Sequence, residues 1–479
     1  MKPTLLLVIA VTVLLGVAVH SPSQGQSQPS EALTGFDDQS NGFSDPARRQ
    51  ADQKFFEEIE RIAPDGLGPI YNAQSCRECH QTPVTGAASQ VVELRVGHVD
   101  PHGFFQNPEI PINHGSELIK GRTLVNDRAI CPEVQEHVPA SETIRTNRLV
   151  TSALGDGYVE AISDETLLKI RKQQCKASHR KICGQAVKVP VPESEGKDRI
   201  GRFGWKDQHA SLLAFAADAY LNEMGITSSL QKAEVTTTCN PPVTTTTPNN
   251  DPTKITEPNS LPDPADSLED IDRFASFMRS LKAPARDQSS LPSPEVKRGA
   301  ELFNKIGCAT CHVESIVTGK SPAAAAGPGL HPEALENRTI HPFSDFLLHD
   351  IGTGDGIAVA LAEHFGQRLL EKRMRQEGAE ANEPSAKTEE ECSESYQDAV
   401  AEGEKHPKLL RDTLCARNKI RTAPLWGLRL RSRLMHDGNS VELEDAIRRH
   451  RGEAAHVTDR FLKLKAADER ALLAFLQSL

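Results

Sequence analysis

The sequence predicts a mainly α-helical fold, and three observations carry that expectation. Apolar residues recur at helical spacing in several separate stretches, segments with the alternation of a strand look scarce, and the two halves present similar features in the same order. With 479 residues, 38% hydrophobic and 25% charged, the chain is long enough for two or three packed domains and globular in composition. Its net charge of −11 argues against a nucleic-acid surface and suits a basic partner.

Residues 1–27 carry Lys2, an apolar run from Leu5 to Val19, and then polar residues. This order predicts an export signal cleaved near residues 20 to 27, with a retained anchor as the alternative. No cysteine follows the run, which argues against a lipoprotein. The expected location is periplasmic or otherwise exported, with no stable membrane insertion once the signal is removed. Ten cysteines suit such a compartment.

Next, Ser44 or Asp45 can cap a helix with Pro46 in its first turn, and Phe55, Ile59 and Ile62 follow at helical spacing. A charged stretch containing Cys175 and Cys183 reads as an insertion, and residues 236–264, rich in Thr, Pro and Asn, read as a linker. Ser267 and Asp270 then resemble a capping box ahead of a stripe of Leu268, Ile271, Phe274, Met278 and Leu281. "SPEVKRGAELFNKIG" offers a Ser-Pro cap and a helix, and "KAADERALLAFLQSL" closes the chain as an amphipathic helix.

Two short stretches carry the chemistry. "QSCRECHQ" and "GCATCHV" share the spacing Cys-x-x-Cys-His. That spacing lets two thiols bond to the vinyl groups of one haem while the next residue's imidazole reaches the iron from one face. Cys76, Cys79 and His80 would hold one haem, and Cys308, Cys311 and His312 a second, giving two covalently bound haem c groups. Two Cys-x-x-Cys pairs could instead form a four-thiolate zinc site. The histidine in both copies and the export signal favour haem. Each half continues to an Arg-Thr-x-x-Leu element, at Arg145 and at Arg421, so two one-haem units are expected.

Six cysteines remain, Cys131, Cys175, Cys183, Cys239, Cys392 and Cys415, and six allow about fifteen pairings. Cys175 with Cys183, and Cys392 with Cys415, are close enough to staple local loops. For the second haem's other axial position, His450 follows Leu443 and Ile447 on one helical face capped by Ser440.

These motifs, together with "GLGPIYNAQSCRECHQ", "GRFGWKDQHASLL", "HPFSDFLLHDIGTG" and "RTAPLWGLRLRSRLMHDGNSVELEDAIRRHRGEA", resemble the bacterial di-haem cytochrome c peroxidase superfamily, most closely its di-haem oxidoreductase branch. The resemblance implies two cytochrome c-like helical domains, here 28–235 with an insertion and 265–479, whose haems face an inter-domain interface. It implies an electron-transfer haem in the second, with His450 as distal ligand and Met435 the runner-up, and a reactive haem in the first. It places Trp205 between the haems and Glu223 over the reactive one as a proton carrier. Where the family has a glutamine, this chain has Phe215. His98, His102 and His114 could ligate the first haem reversibly, and His349 and Asp350 would support the second by hydrogen bonds. The implied function is a peroxidase-like oxidoreductase taking electrons from a small redox protein or other donor, with peroxide or another small substrate. Pure electron transfer, or oxidation of another protein or small molecule, are the alternatives. The superfamily also allows calcium between the domains.

Overall fold

The structure, a computed structural model, describes residues 28–63, 65–100, 105–194, 197–239, 267–322, 328–358 and 416–479. The export signal, most of the expected linker, His102, Cys392 and Cys415 lie outside the described residues.

The expectation of a mainly α fold is corrected. Helix accounts for 32% and strand for 17%, with ten α-helices and six small sheets among the described residues. Most strands are two or three residues long, too short for alternation to show in sequence. The longest, β3 (Val92–Val99), did carry the signal: Val92, Leu94 and Val96 alternate with Glu93 and Arg95. Leu94 and Val96 face a small core with Ile70, Ile110, Ile112 and Ile119, while Glu93 and Arg95 take the other face. β3 pairs antiparallel with β9 (Ile144–Leu149), so that Glu93 lies opposite Arg148, and on its other edge with β7 (Leu124–Val125). This β-rich layer is tied by a Cys131–Cys239 disulfide, and Cys175–Cys183 staples the expected local loop.

Two helical cores flank it. In the first, α6 (Asp270–Ser280) packs against α1 (Pro46–Glu57) and α5 (Leu212–Met224), with Ile271, Phe274 and Met278 buried as the stripe requires. The cap of α6 is Glu269 paired with Asp272, two residues beyond Ser267. α1 ends at Glu57, leaving Ile59 and Ile62 exposed and burying Arg49, Asp52 and Phe56 instead. In the second core, α7 (Pro294–Ile306) crosses α10 (Ala466–Gln477). A Cβ at Gly299 would lie 2.0 Å from the Ala471 carbonyl oxygen, so this crossing needs glycine. No helix among the described residues is long and apolar enough to cross a membrane.

Candidate functional site

Each Cys-x-x-Cys-His motif folds as one tight turn. The first forms α2 (Cys76–Cys79), capped by Ser75, whose hydroxyl accepts from the Glu78 N–H. The second is a 3-10 turn, Cys308–Thr310, which follows α7 directly through Gly307 at φ 105°. In both, the histidine N–H donates to the first cysteine's carbonyl at 3.0 Å. His80 Nδ1–H then donates to the Ala87 carbonyl at 3.2 Å, and His312 Nδ1–H to that of Phe343 at 2.9 Å. Each ring is thereby oriented with Nε2 as the remaining donor atom for a metal.

A cavity of about 720 Å³ opens beside the second motif. Cys308, Cys311 and His312 form one wall, and His450 and Met435 also line it. His450 sits just beyond α8 (Leu443–Arg448), and its Nδ1–H donates to the Ala446 carbonyl at 2.8 Å. Burial, and then the nearby His450, push His312 down to about 4, while burial also lowers His450 and His80. All three imidazoles are therefore neutral, the form that coordinates a metal. Ser440, expected to cap α8, accepts instead from Arg449 at 2.9 Å.

His349 braces this centre. Its Nε2–H donates to Asp345 at 2.9 Å and its Nδ1–H to Glu453 at 3.0 Å, and Nδ1 lies 3.7 Å from Cys311 Sγ. Burial opposes its charge, yet the buried Asp345 carboxylate at 2.9 Å holds the imidazole well above its ordinary range. Glu453 also accepts from the Asp350 N–H, so the expected supporting roles fall to His349 and the Asp350 backbone. The His349→Ala variant should lose about 3 kcal/mol of stability or more, because it leaves buried Asp345 without its cation. Denaturant unfolding measures this, and a loss near zero would contradict it.

Near the first motif the surroundings differ. The end of α5 is stitched to the segment entering the motif, as Asn72 and Ala73 N–H groups donate to the Glu223 carbonyl at 2.7 and 3.2 Å. The Glu223 carboxyl accepts from Asn72 Nδ2 at 2.9 Å and lies 3.8 Å from Arg95, which also holds Glu93 at 2.6 Å. Burial first, then the like charge of Glu93, push Glu223 up to about 8, against the pull of Arg95. Phe215 stacks on Phe203 and lies against His209, which pairs with Asp218 at 3.2 Å. His98 is bonded to Glu142 and His114 lies beside Glu117; neither lines the cavity.

Trp205 links the two regions. Its indole N–H donates to the Leu149 carbonyl at 2.7 Å, and Thr151, two residues on, has its backbone beside the His80 ring. Its other side lines the cavity, edge-on to His436 with ring centroids 6.2 Å apart.

The profile of the family described as "Di-haem oxidoreductase, putative peroxidase" matches residues 131–366 and 399–479. The chain belongs to this family. The match begins after the first motif, which is placed by its own geometry. Two solved structures are similar along nearly the whole chain. One is Kuenenia stuttgartiensis hydrazine synthase pressurised with 20 bar xenon, at 14% identity and TM-score 0.35, covering 98% of this chain and 99% of that one. The other is a MauG-like protein associated with microbial copper homeostasis, at 13% identity and TM-score 0.35, covering 96% and 95%. TM-scores this low bear on neither fold nor function. No curated protein sequence matches.

A di-haem oxidoreductase carries haem, and the residues present fit it. The cavity is of ligand size, and it joins two thiols, two neutral imidazoles and apolar walls from Phe303, Leu443, Ile447 and Leu472. Burial pushes all four motif thiols up and keeps them protonated. Arg421, Arg431 and Arg433 also line the cavity, and burial and then Arg421 push Arg431 down to about 10. An anionic group such as a haem carboxylate would relieve that crowding. His436 is 3% exposed and its Nδ1 has no hydrogen-bond partner among the described residues. The two clusters of three or more His, Cys, Asp or Glu ligand atoms, Cys131–Glu133–Cys239 and Cys311–Asp345–His349, are not oxygen cages.

Of the residues singled out in sequence, His312, His450, Met435 and Trp205 come to one cavity, and Glu223 comes to the first motif. Glu93, Arg95, His436 and Glu453 were missed. The alternation in β3 was the available signal for the first two; the others had none.

Proposed function

We propose that the protein is an exported c-type di-haem oxidoreductase that reduces peroxide. In this reading Cys76, Cys79, Cys308 and Cys311 would tether the haems, and His80 and His312 would bind their irons. His450 completes the second site. Residues 28–235 and 265–479 would each supply one haem unit.

The single observation that carries this reading is an asymmetry. His312 shares its cavity with a second imidazole, His450, whereas the group brought to the first motif is a protonatable carboxyl, Glu223. A filled axial position suits electron passage, and an open one suits substrate. When bound, the haems supply the one-electron steps. The balance is one peroxide, two electrons from a donor protein and two protons, giving two waters. Glu223 holds one of those protons at neutral pH and can deliver it at the first site. Trp205, fixed by its bond to Leu149, keeps a rigid aromatic contact between the two sites. His312 and His450 hold the second site closed to substrate.

Phe215 favours a second reading, pure electron transfer. An apolar ring stacked on Phe203 stands where a hydrogen-bonding partner for peroxide is expected. Mass spectrometry and optical or EPR spectra test both. The peroxidase reading expects two added macrocycles and one open, high-spin haem in the oxidised or half-reduced protein. Two low-spin haems that ignore peroxide in both states would leave only electron transfer.

A further inference from the structure

Glu93 stands out once the first site is assembled. It lies on β3 across from Arg148 and on the face opposite the small apolar core. Arg95, two residues on and therefore on the same face, clasps it through Nη2 at 2.6 Å and Nε at 3.2 Å. That ion pair is complete without a third member. Yet the end of α5 brings Glu223 to the same guanidinium at 3.8 Å, so two carboxyl groups converge on one cation. Two carboxyl groups hydrogen-bond to one another only when one of them keeps its proton.

We propose that Glu93 and Glu223 form a proton-sharing carboxyl dyad beside the first Cys-x-x-Cys-His motif, with Arg95 as its fixed counter-charge. Charge balance supports this. Two ionised carboxylates and one guanidinium would leave a net negative charge in a cluster that water reaches only in part, whereas one retained proton makes it neutral. The other charged groups around it are already committed. Asp218 pairs with His209, and Arg148 on β9, across from Glu93, shares Asp355 with Lys206. Asn72 donates to Glu223, Cys79 and the His80 ring face the pair from the motif, and Arg128 and Glu78 pair with each other outside Cys79. Arg95 is the guanidinium within ion-pair distance of both carboxyls, and a shared proton relieves the repulsion between them.

This rests on the proposed peroxide chemistry for its use, though not for its existence. Reducing one peroxide takes two electrons from the donor protein and two protons. The O–O bond breaks, the dyad's proton ends on one departing water, solvent supplies the second proton to the other, and the dyad is refilled from solvent. A shared proton is held at neutral pH and still released readily, because the second carboxylate accepts the hydrogen bond that is left. Activity that depends on it should fall as pH rises through about 8, where Glu223 loses its proton.

Infrared spectroscopy of the two-haem protein at neutral pH, in water and deuterium oxide, tests the pairing. Wild type should show one protonated carboxyl band, separate from those of Glu60 and Asp207, that both Glu93→Gln and Glu223→Gln remove, since either carboxyl left alone with Arg95 ionises. Both variants should keep the wild-type haem spectra, which reports an intact fold. A band that survives Glu93→Gln would make Glu223 a solitary buried acid and overturn the dyad, as would its absence from wild type. In turnover, each variant should lose roughly 100-fold in peroxide reduction, with the double variant no worse than either single one. Infrared bands behaving as stated in a protein indifferent to peroxide would uphold the dyad and reject the peroxidase reading.

Discussion

Replacing Asp355 with alanine should lower the unfolding free energy by about 3–5 kcal/mol, because two buried cations lose their common anion. Asp355 is 4% exposed and accepts from Arg148 Nε at 2.9 Å and from Lys206 Nζ at 3.1 Å. Lys206 is also bonded to the carbonyls of Ala416, Arg417 and Lys419, which cannot neutralise it. Burial would raise the Asp355 carboxyl, but Lys206 and Arg148 hold it well below the ordinary range. A depressed folded value means its stabilisation is full above the unfolded carboxylate pKa, about 3.9, and is lost as pH falls through the folded value. Wild type should therefore lose more stability on acidification than the variant does. Denaturant midpoints at neutral and acid pH measure both, and equal stability of the two proteins at pH 7 would reject this account. The effect should reach function as well. Lys206 follows Trp205 and Arg148 precedes Leu149, so Asp355 clamps both ends of the indole–carbonyl bond. Slower electron transfer between the haems should accompany the lost stability.

Converting His450 to alanine should open the second haem. The low-spin optical and EPR signature of that centre should become high-spin and bind added carbon monoxide when reduced. Imidazole in the medium should restore the original spectrum, since it refills the vacated position without the side chain. The wild-type ring is pre-aimed by its Nδ1 bond to Ala446, so little rotamer freedom remains to be lost on ligation. An unchanged spectrum would transfer the ligand role to Met435, which lines the same cavity, and Met435→Ala would then produce the change.

What was legible in the sequence follows from how local each constraint is. A haem attachment turn needs its thiols and imidazole at fixed spacing, so both motifs are explicit. The helices α6, α7 and α10 were legible because a buried stripe at period 3.6 spans many residues. The amount of strand was not, because two- and three-residue pairings are set by what lies across them rather than by their own pattern. β3 is the instructive case: its alternation is written in the chain, but only pairing with β9 shows that Glu93 and Arg95 form a polar face at the first motif.

By itself the sequence determined the two Cys-x-x-Cys-His turns and the helices beside the second one, and it offered His450 as a ligand candidate. Tertiary structure alone decided which groups share a site: His450 in one cavity with His312, Glu93 beside Glu223, and Asp355 bonded to Arg148 across 207 residues and to Lys206 across 149. The reason is that a carboxylate's partner, and hence its charge, depends on contacts between distant segments. Those contacts form only when apolar faces bury one another, and residue spacing along the chain carries no record of them.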